Sequence, residues 1–298
     1  MTASQSRLCL LIGHPRSGST FLHRFMLGNC LDLAGKKLED MVFLPRWSRV
    51  LRPFRSIARK LPLSWLYRAE IHRTGMECWE SDDVAFSLCC KAGYLRWLYG
   101  RCRRRARFDS AEFHDWVSER EGEVLACWER LYHQQLSSGG ERRVLSKSFI
   151  MLFHLEEFLT RYPDTKVILL TRTPLETVPS TISLVNSVCR RIFPFRGLHE
   201  DAIANIYHSV SLYYERMSSV LANLAIADRC LHIKYSDLTS RFAETCRRIS
   251  DYFPGAAWNE TAVSEQSARQ SQWISSHHYD ATDFGLSPGR IAQEVPFA

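Results

Sequence analysis

Four short stretches of the chain are dominated by apolar residues, and each ends where polar residues or a helical spacing begins. They are RLCLLIG (7–13), RRVLSKS (142–148), KVILLTR (166–172) and CLHIKYSDL (230–238). Short apolar runs bounded in this way read as strands buried on both faces. Helical patterns follow each of them. After the second run, FIMLFHLEEFLTRYP sets Leu152, Leu155 and Leu159 on one face and stops at Pro163. After the third, Thr173 can cap a helix, Pro174 suits its first position and Glu176 completes a capping box. Pro179 lies inside that helix and is expected to kink it. Strand, loop and helix in repetition predict a right-handed α/β fold, a parallel sheet flanked by helices. Ligands of such sheets bind at the carboxyl ends of the strands.

Between the first two strands lies a long helical insertion, about 25–141, rich in tryptophan, tyrosine and arginine. We read the 298 residues as one domain carrying this insertion. Apolar residues make up 45% and charged residues 24%, a balance that supports a substantial core. There is no run of about 18 apolar residues to cross a membrane, and the first residues show no export pattern. The ten cysteines are scattered without a C-x-x-C pair, which predicts reduced thiols and a cytoplasmic protein. The net charge of +7 favours an anionic partner without choosing among nucleotide, nucleic acid and membrane surface.

The first strand runs into GHPRSGST (13–20). This is a phosphate-binding P-loop of the Gly-x4-Gly-Lys-Ser/Thr type, except that Ser19 stands where the lysine would be. An ATP site also needs an aspartate at the end of a second apolar strand to anchor magnesium. The best second strand ends in Thr171 and Arg172 instead. What remains is a ring of backbone N–H groups at a helix start, which binds anions, with Arg16 as a fixed positive charge. Arg172 marks a second strand–helix junction of the same kind. Two separate anion sites fit a donor with phosphates at two ends.

On these two motifs, PRSGSTFLHRFM followed by VILLTRTPLETVPSTISL, the chain resembles the sulfotransferases that use 3′-phosphoadenosine 5′-phosphosulfate (PAPS). LSKSFIMLFHLEEFLTRYPDTKVILLTRTP is similar to the bacterial and tyrosylprotein branches of that family, LHIKYSDL to its Tyr-x-Asp-Leu strand, and HHYDATDFGLSPGRI to the bacterial closing segment. The resemblance implies that Arg16, Ser17, Gly18, Ser19, Thr20 and Phe21 hold the 5′-phosphosulfate and that Arg172 and Ser180, eight positions on, hold the 3′-phosphate. It also implies no metal, 3′,5′-adenosine bisphosphate as product, and Lys147 as a second cation near the sulfuryl group. Lys147 is otherwise a solvated strand end. Tyr235 packs near the nucleotide by resemblance, or is a half-buried core tyrosine.

A hydroxyl acceptor needs a general base within hydrogen-bond reach. The resemblance points to KLEDMVFLPR, where Glu39 is favoured over its neighbour Asp40. His14, His72 and Glu77 are weaker choices. The acceptor side contains RWSRVLRPFRSIARKLPLSWLYR (46–68), with seven basic residues and no acid. Trp47, Val50, Leu51, Phe54, Ile57, Ala58 and Leu61 recur at helical spacing opposite Arg46, Arg49, Arg52, Arg55 and Arg59, with a break at Pro53. Such a stretch either packs its apolar face on the core and leaves its arginines solvated, or lies on an anionic membrane and meets a lipid or amphiphilic acceptor. The cluster RCRRRAR (101–107) adds to the same charge. It could also serve as the lid of a kinase, which the missing lysine and aspartate argue against. A silent nucleotide- or nucleic-acid-binding module is the third reading, but the chain lacks the compact basic motifs of nucleic-acid readers.

Overall fold

The computed structural model describes residues 7–45, 48, 50, 53–60, 74–101, 106–137, 142–192, 197–253, 256–271, 280–295 and 297. In chain order, strand β1 (Leu8–Gly13) leads through the glycine loop into helix α1 (Ser19–Asn29), followed by the short strand β2 (Leu33–Ala34). The helices α2 (Leu38–Val42), α3 (Arg55–Lys60), α4 (Asp83–Cys89), α5 (Tyr94–Arg101), α6 (Ser110–Ser118) and α7 (Glu121–Ser137) come next. Then β3 (Arg143–Lys147), α8 (Leu155–Arg161), β4 (Lys166–Thr171), α9 (Pro174–Ile192), α10 (Glu200–Ala222) and α11 (Leu224–Ala227) alternate. Strand β5 (Cys230–Lys234) is followed by α12 (Tyr235–Ser240), α13 (Phe242–Tyr252), α14 (Glu260–Ser271) and α15 (Pro288–Glu294).

The five strands form one parallel sheet in the order β2-β3-β1-β4-β5. β1 is central because it has apolar side chains on both faces, and every residue from Leu8 to Gly13 is buried. Full burial of each Leu or Ile is worth about 1.5–3 kcal/mol. In register, Leu11 lies beside Lys147 on one side and Ile168 on the other, and Gly13 beside Leu170. The carboxyl ends of β1, β3 and β4 therefore finish nearly level. That alignment sets the first loop between Lys147 and Arg172.

The four expected strands are all present, with β2 as a fifth. One boundary is corrected. The run 230–238 ends as a strand at Lys234, where the Asp237 carboxylate accepts the Lys234 N–H at 3.2 Å and turns Tyr235 onward into helix. Leu152, Leu155 and Leu159 are buried as their spacing predicts, Leu152 in a 3₁₀ turn ahead of α8. α9 opens at Pro174 and continues through Pro179.

The chain divides into two compact units. One is drawn from 1–35, 132–172 and 217–278 and holds the sheet; the other, from 36–131, 173–216 and 279–298, is helical. In the helical unit Trp97 stacks edge-on against Phe108 and Phe113, and its indole N–H donates to Ser209 Oγ at 3.0 Å. Tyr94 donates to the Ser209 carbonyl at 2.8 Å, so the polar atoms of both aromatics are satisfied inside the core.

Candidate functional site

The first loop is sharply bent. A Cβ on Gly13 would stand 2.7 Å from both the Leu170 carbonyl oxygen and Ser17 Oγ, so only glycine fits there. Gly18 has φ +88° and lies against the Tyr235 ring, where a Cβ would come within 2.9 Å of a ring carbon. Arg16 takes φ +74°, a left-handed conformation that L residues avoid and that clusters at binding sites. Its carbonyl accepts a hydrogen bond from Arg172 Nη1 at 3.1 Å, so the second arginine of the sequence pattern pins the first. The Arg172 guanidinium also sits 4.4 Å from the centre of the Tyr235 ring, a cation–π contact. Gly18, Arg16, Arg172 and Tyr235 thus meet in one cluster, although they come from three separate parts of the chain.

Two further features of the loop suit an anion. Ser17 is fully buried, and its Oγ has no hydrogen-bond partner among the described residues. A buried hydroxyl left unsatisfied is unfavourable, and an incoming oxyanion would correct it. Lys147 is only 1% exposed and donates from Nζ to Thr20 Oγ1 at 2.7 Å. The alternative of a solvated strand end for Lys147 is therefore wrong. Ser19 is buried at the first position of α1, and Phe21 packs against Phe25 and Phe242, with centroids 6.1 and 5.6 Å away. His14 is buried and its Nδ1 donates to the Pro15 carbonyl at 2.7 Å. Burial drives its pKa down to about 3, so it braces the loop as a neutral ring and is a poor base.

The helical unit holds the two acids. Glu39, on α2, is 3% exposed, and both its oxygens are taken by arginines of α3. Arg59 donates from Nε to Oε2 at 2.7 Å and from Nη2 to Oε1 at 2.9 Å, and Arg55 Nη2 lies 3.0 Å from Oε1. The Arg59 hydrogen bonds, then those of Arg55, hold its pKa down at about 2. Asp40 accepts the Lys37 N–H at 3.0 Å, which caps α2, and pairs with Arg55 at 3.0 Å. Glu77 is exposed and 4.0 Å from Arg59. His72 lies outside the described residues. Ser180 is buried in the second turn of α9.

Arg55 and Arg59 have a role that the sequence reading missed. Their four-residue spacing places them on one face, but it does not name the carboxylate they meet. The expectation of a solvated basic face over a core-packed apolar face is overturned for the described part of 46–68. Phe54 and Ile57 are 56% and 58% exposed, Val50 is 75% exposed, and α3 buries none of its side chains. Arg46, Trp47, Arg49, Leu51, Arg52 and Leu61 lie outside the described residues. In the second cluster, Arg101 is buried over the Trp97 ring at 3.7 Å and paired with Glu112 at 2.7 Å, while Arg107 pairs with Asp201. The two described ends of that cluster are structural, and 102–105 lie outside the described residues. Among the described residues no group of His, Cys, Asp and Glu is placed to hold a metal ion, and no helix is long and apolar enough to cross a membrane.

Comparisons with known proteins bear on the fold and the family. The solved structure of sulfotransferase STF1 from Mycobacterium tuberculosis H37Rv is 19% identical and superposes with a TM-score of 0.63, covering 98% of this chain and 77% of its own. That of sulfotransferase STF9 from Mycobacterium avium is 16% identical with the same TM-score, over 98% of this chain and 76% of its own. At these identities the likeness establishes the fold. No curated protein matches the chain in sequence. The model of the sulfotransferase family matches residues 9–260, and with most of its length accounted for in this way the chain belongs to the sulfotransferase family.

Proposed function

We propose that the protein transfers the sulfuryl group of PAPS to a hydroxyl acceptor. The observation that carries this reading is the convergence of the bent first loop, Lys147, Arg172 and Tyr235 at the carboxyl ends of adjacent strands. The N–H groups from Gly18 to Phe21 and the Ser17 hydroxyl, with Arg16 and Lys147, receive the 5′-phosphosulfate, and Arg172 with Ser180 receives the 3′-phosphate. As the bond between sulfur and the bridging phosphate oxygen breaks, negative charge grows on the departing bisphosphate. The cations and N–H groups of the loop are fixed in advance to meet it. Glu39 takes the acceptor's proton, and the sulfate ester and 3′,5′-adenosine bisphosphate leave.

Between the two adjacent acids we keep Glu39 as base: Asp40 is committed to capping α2, and the pairs of Glu39 with Arg55 and Arg59 must open before it accepts a proton. The acceptor carries a hydroxyl, and a lipid or amphiphile suits the exposed Phe54 and Ile57 within the basic stretch 46–68. The protein works in the cytoplasm, in peripheral contact with anionic membrane, without metal or nucleic acid.

Calorimetric titration with 3′,5′-adenosine bisphosphate, beside ATP and without added metal, tests the donor. We expect a Kd of about 1 μM for the bisphosphate, a binding free energy near 8 kcal/mol. Arg172→Ala should weaken it by about ten- to a hundredfold, the loss of charge-assisted hydrogen bonds. Tighter binding of Mg-ATP would overturn the reading in favour of a kinase. For the base, Glu39→Gln should keep bisphosphate affinity and lose about 10²–10⁴ in turnover. Unchanged turnover would remove Glu39 from that role.

A further inference from the structure

Helix α3 joins two features that a surface helix rarely combines. Its outward side presents Phe54, just ahead of the helix, and Ile57, both more than half exposed. Its other side sends Arg55 and Arg59 onto the buried carboxylate of Glu39. No side chain of the helix is buried, so little apolar packing holds it in place. The ion pairs are its main visible tether, and they are imperfect: Arg55 Nε is buried with no partner among the described residues. The surrounding stretch 46–68 has seven basic residues and no acid, a charge complementary to an anionic bilayer.

The geometry points to α3 as a membrane-operated latch: the exposed Phe54 and Ile57 dock on an anionic lipid surface, and docking draws Arg55 and Arg59 off Glu39. The free protein then keeps its base neutralised, and lipid contact exposes a carboxylate able to accept a proton. This rests on the assignment of Glu39 as base, but the docking and its coupling to Glu39 stand apart from that assignment. Coupling is reciprocal. If docking must break the pairs with Glu39, removing the Glu39 charge must strengthen docking.

Co-sedimentation of the full chain with vesicles of phosphatidylcholine and phosphatidylglycerol, and with phosphatidylcholine alone, tests this without any activity assay. The wild type should bind the anionic vesicles and not the neutral ones. Phe54→Asp/Ile57→Asp should weaken that binding at least about tenfold. Glu39→Gln should tighten it by about fivefold or more. Glu77→Gln makes the same charge change at an exposed site 4.0 Å from Arg59 and should have a much smaller effect. If Glu39→Gln fails to fold, Asp40→Asn frees one contact of Arg55 at a half-exposed site and should move binding in the same direction by less. No binding to anionic vesicles, or binding indifferent to Phe54 and Ile57, overturns the docking surface. Equal effects of Glu39→Gln and Glu77→Gln overturn the latch. Tightened docking together with unchanged turnover in Glu39→Gln would keep the latch and discard the base, so the two failures are distinguishable.

Discussion

His14 and Glu39 sit at opposite ends of the acid response. His14 is held neutral with a pKa near 3 against an ordinary 6.5, so between those values the unfolded chain binds a proton that the folded one refuses. Stability present above pH 6.5 is therefore lost as pH falls toward 3, by at most about 5 kcal/mol at 1.36 kcal/mol per pKa unit. Glu39 is held ionised with a pKa near 2 against an ordinary 4.5, and its contribution is lost as pH falls from 4.5 to 2. That loss is at most about 3 kcal/mol and is reduced by screening, since its arginine partners are about two-fifths exposed. The unfolding midpoint should decline below pH 6.5 and more steeply below 4.5, and His14→Gln should make the decline shallower from pH 6.5 down to about 3. A midpoint level between pH 6.5 and 4.5 in the wild type would contradict the burial argument. A separate test concerns Cys89. Hydrogen bonding with Cys127, aided by Arg130, lowers its pKa to about 7, so iodoacetamide at neutral pH should alkylate Cys89 before the buried thiols Cys9 and Cys246.

At the level of elements, strands were the most legible part of the sequence, because β1 and β4, buried on both faces, are apolar along nearly their whole length. β2 was not visible: two residues, Leu33 and Ala34, have no periodicity to read. The end of β5 was misplaced because Ile233 and Lys234 continue naturally into Tyr235, and only the Asp237 cap shows where the backbone turns. In α3 the spacing of apolar and basic residues was legible but its direction was not. A periodic stripe says which side chains share a face; what covers that face depends on partners elsewhere in the chain, here the two acids Glu39 and Asp40, 15 to 20 residues upstream. The loop is the opposite case, since its glycines are readable from the motif and their necessity shows in the contacts. Gly13→Ala should destabilise the protein by about 1–3 kcal/mol through its clash with the Leu170 carbonyl. Gly18→Ala adds backbone strain at φ +88° and displaces the Tyr235 ring, so it should reduce nucleotide affinity more than it lowers the unfolding midpoint. The reverse ordering would place Tyr235 in a packing role only.

For the molecule as a whole, hydrogen exchange distinguishes local from global effects of the nucleotide. Saturating bisphosphate should slow the rapidly exchanging amides of 13–20 and those around Lys147, Arg172 and Tyr235, while rapidly exchanging amides around α6 change little. Uniform slowing across both units would mean that binding acts by raising global stability alone. The sheet order has a consequence of another kind. β1 is flanked only by β3 and β4, and roughly 130 residues separate its end from the start of β3. At about 5–20 residues per second on the ribosome, β1 therefore waits roughly 7–26 s for a neighbour. Its apolar edges stay unpaired all that time, in a stretch that needs shelter by a chaperone or by transient contacts within the nascent insertion. Slowing translation before residue 143 should lower the soluble yield of this protein, whereas a pause late enough after Thr171 for both neighbours of β1 to have left the ribosome should be harmless.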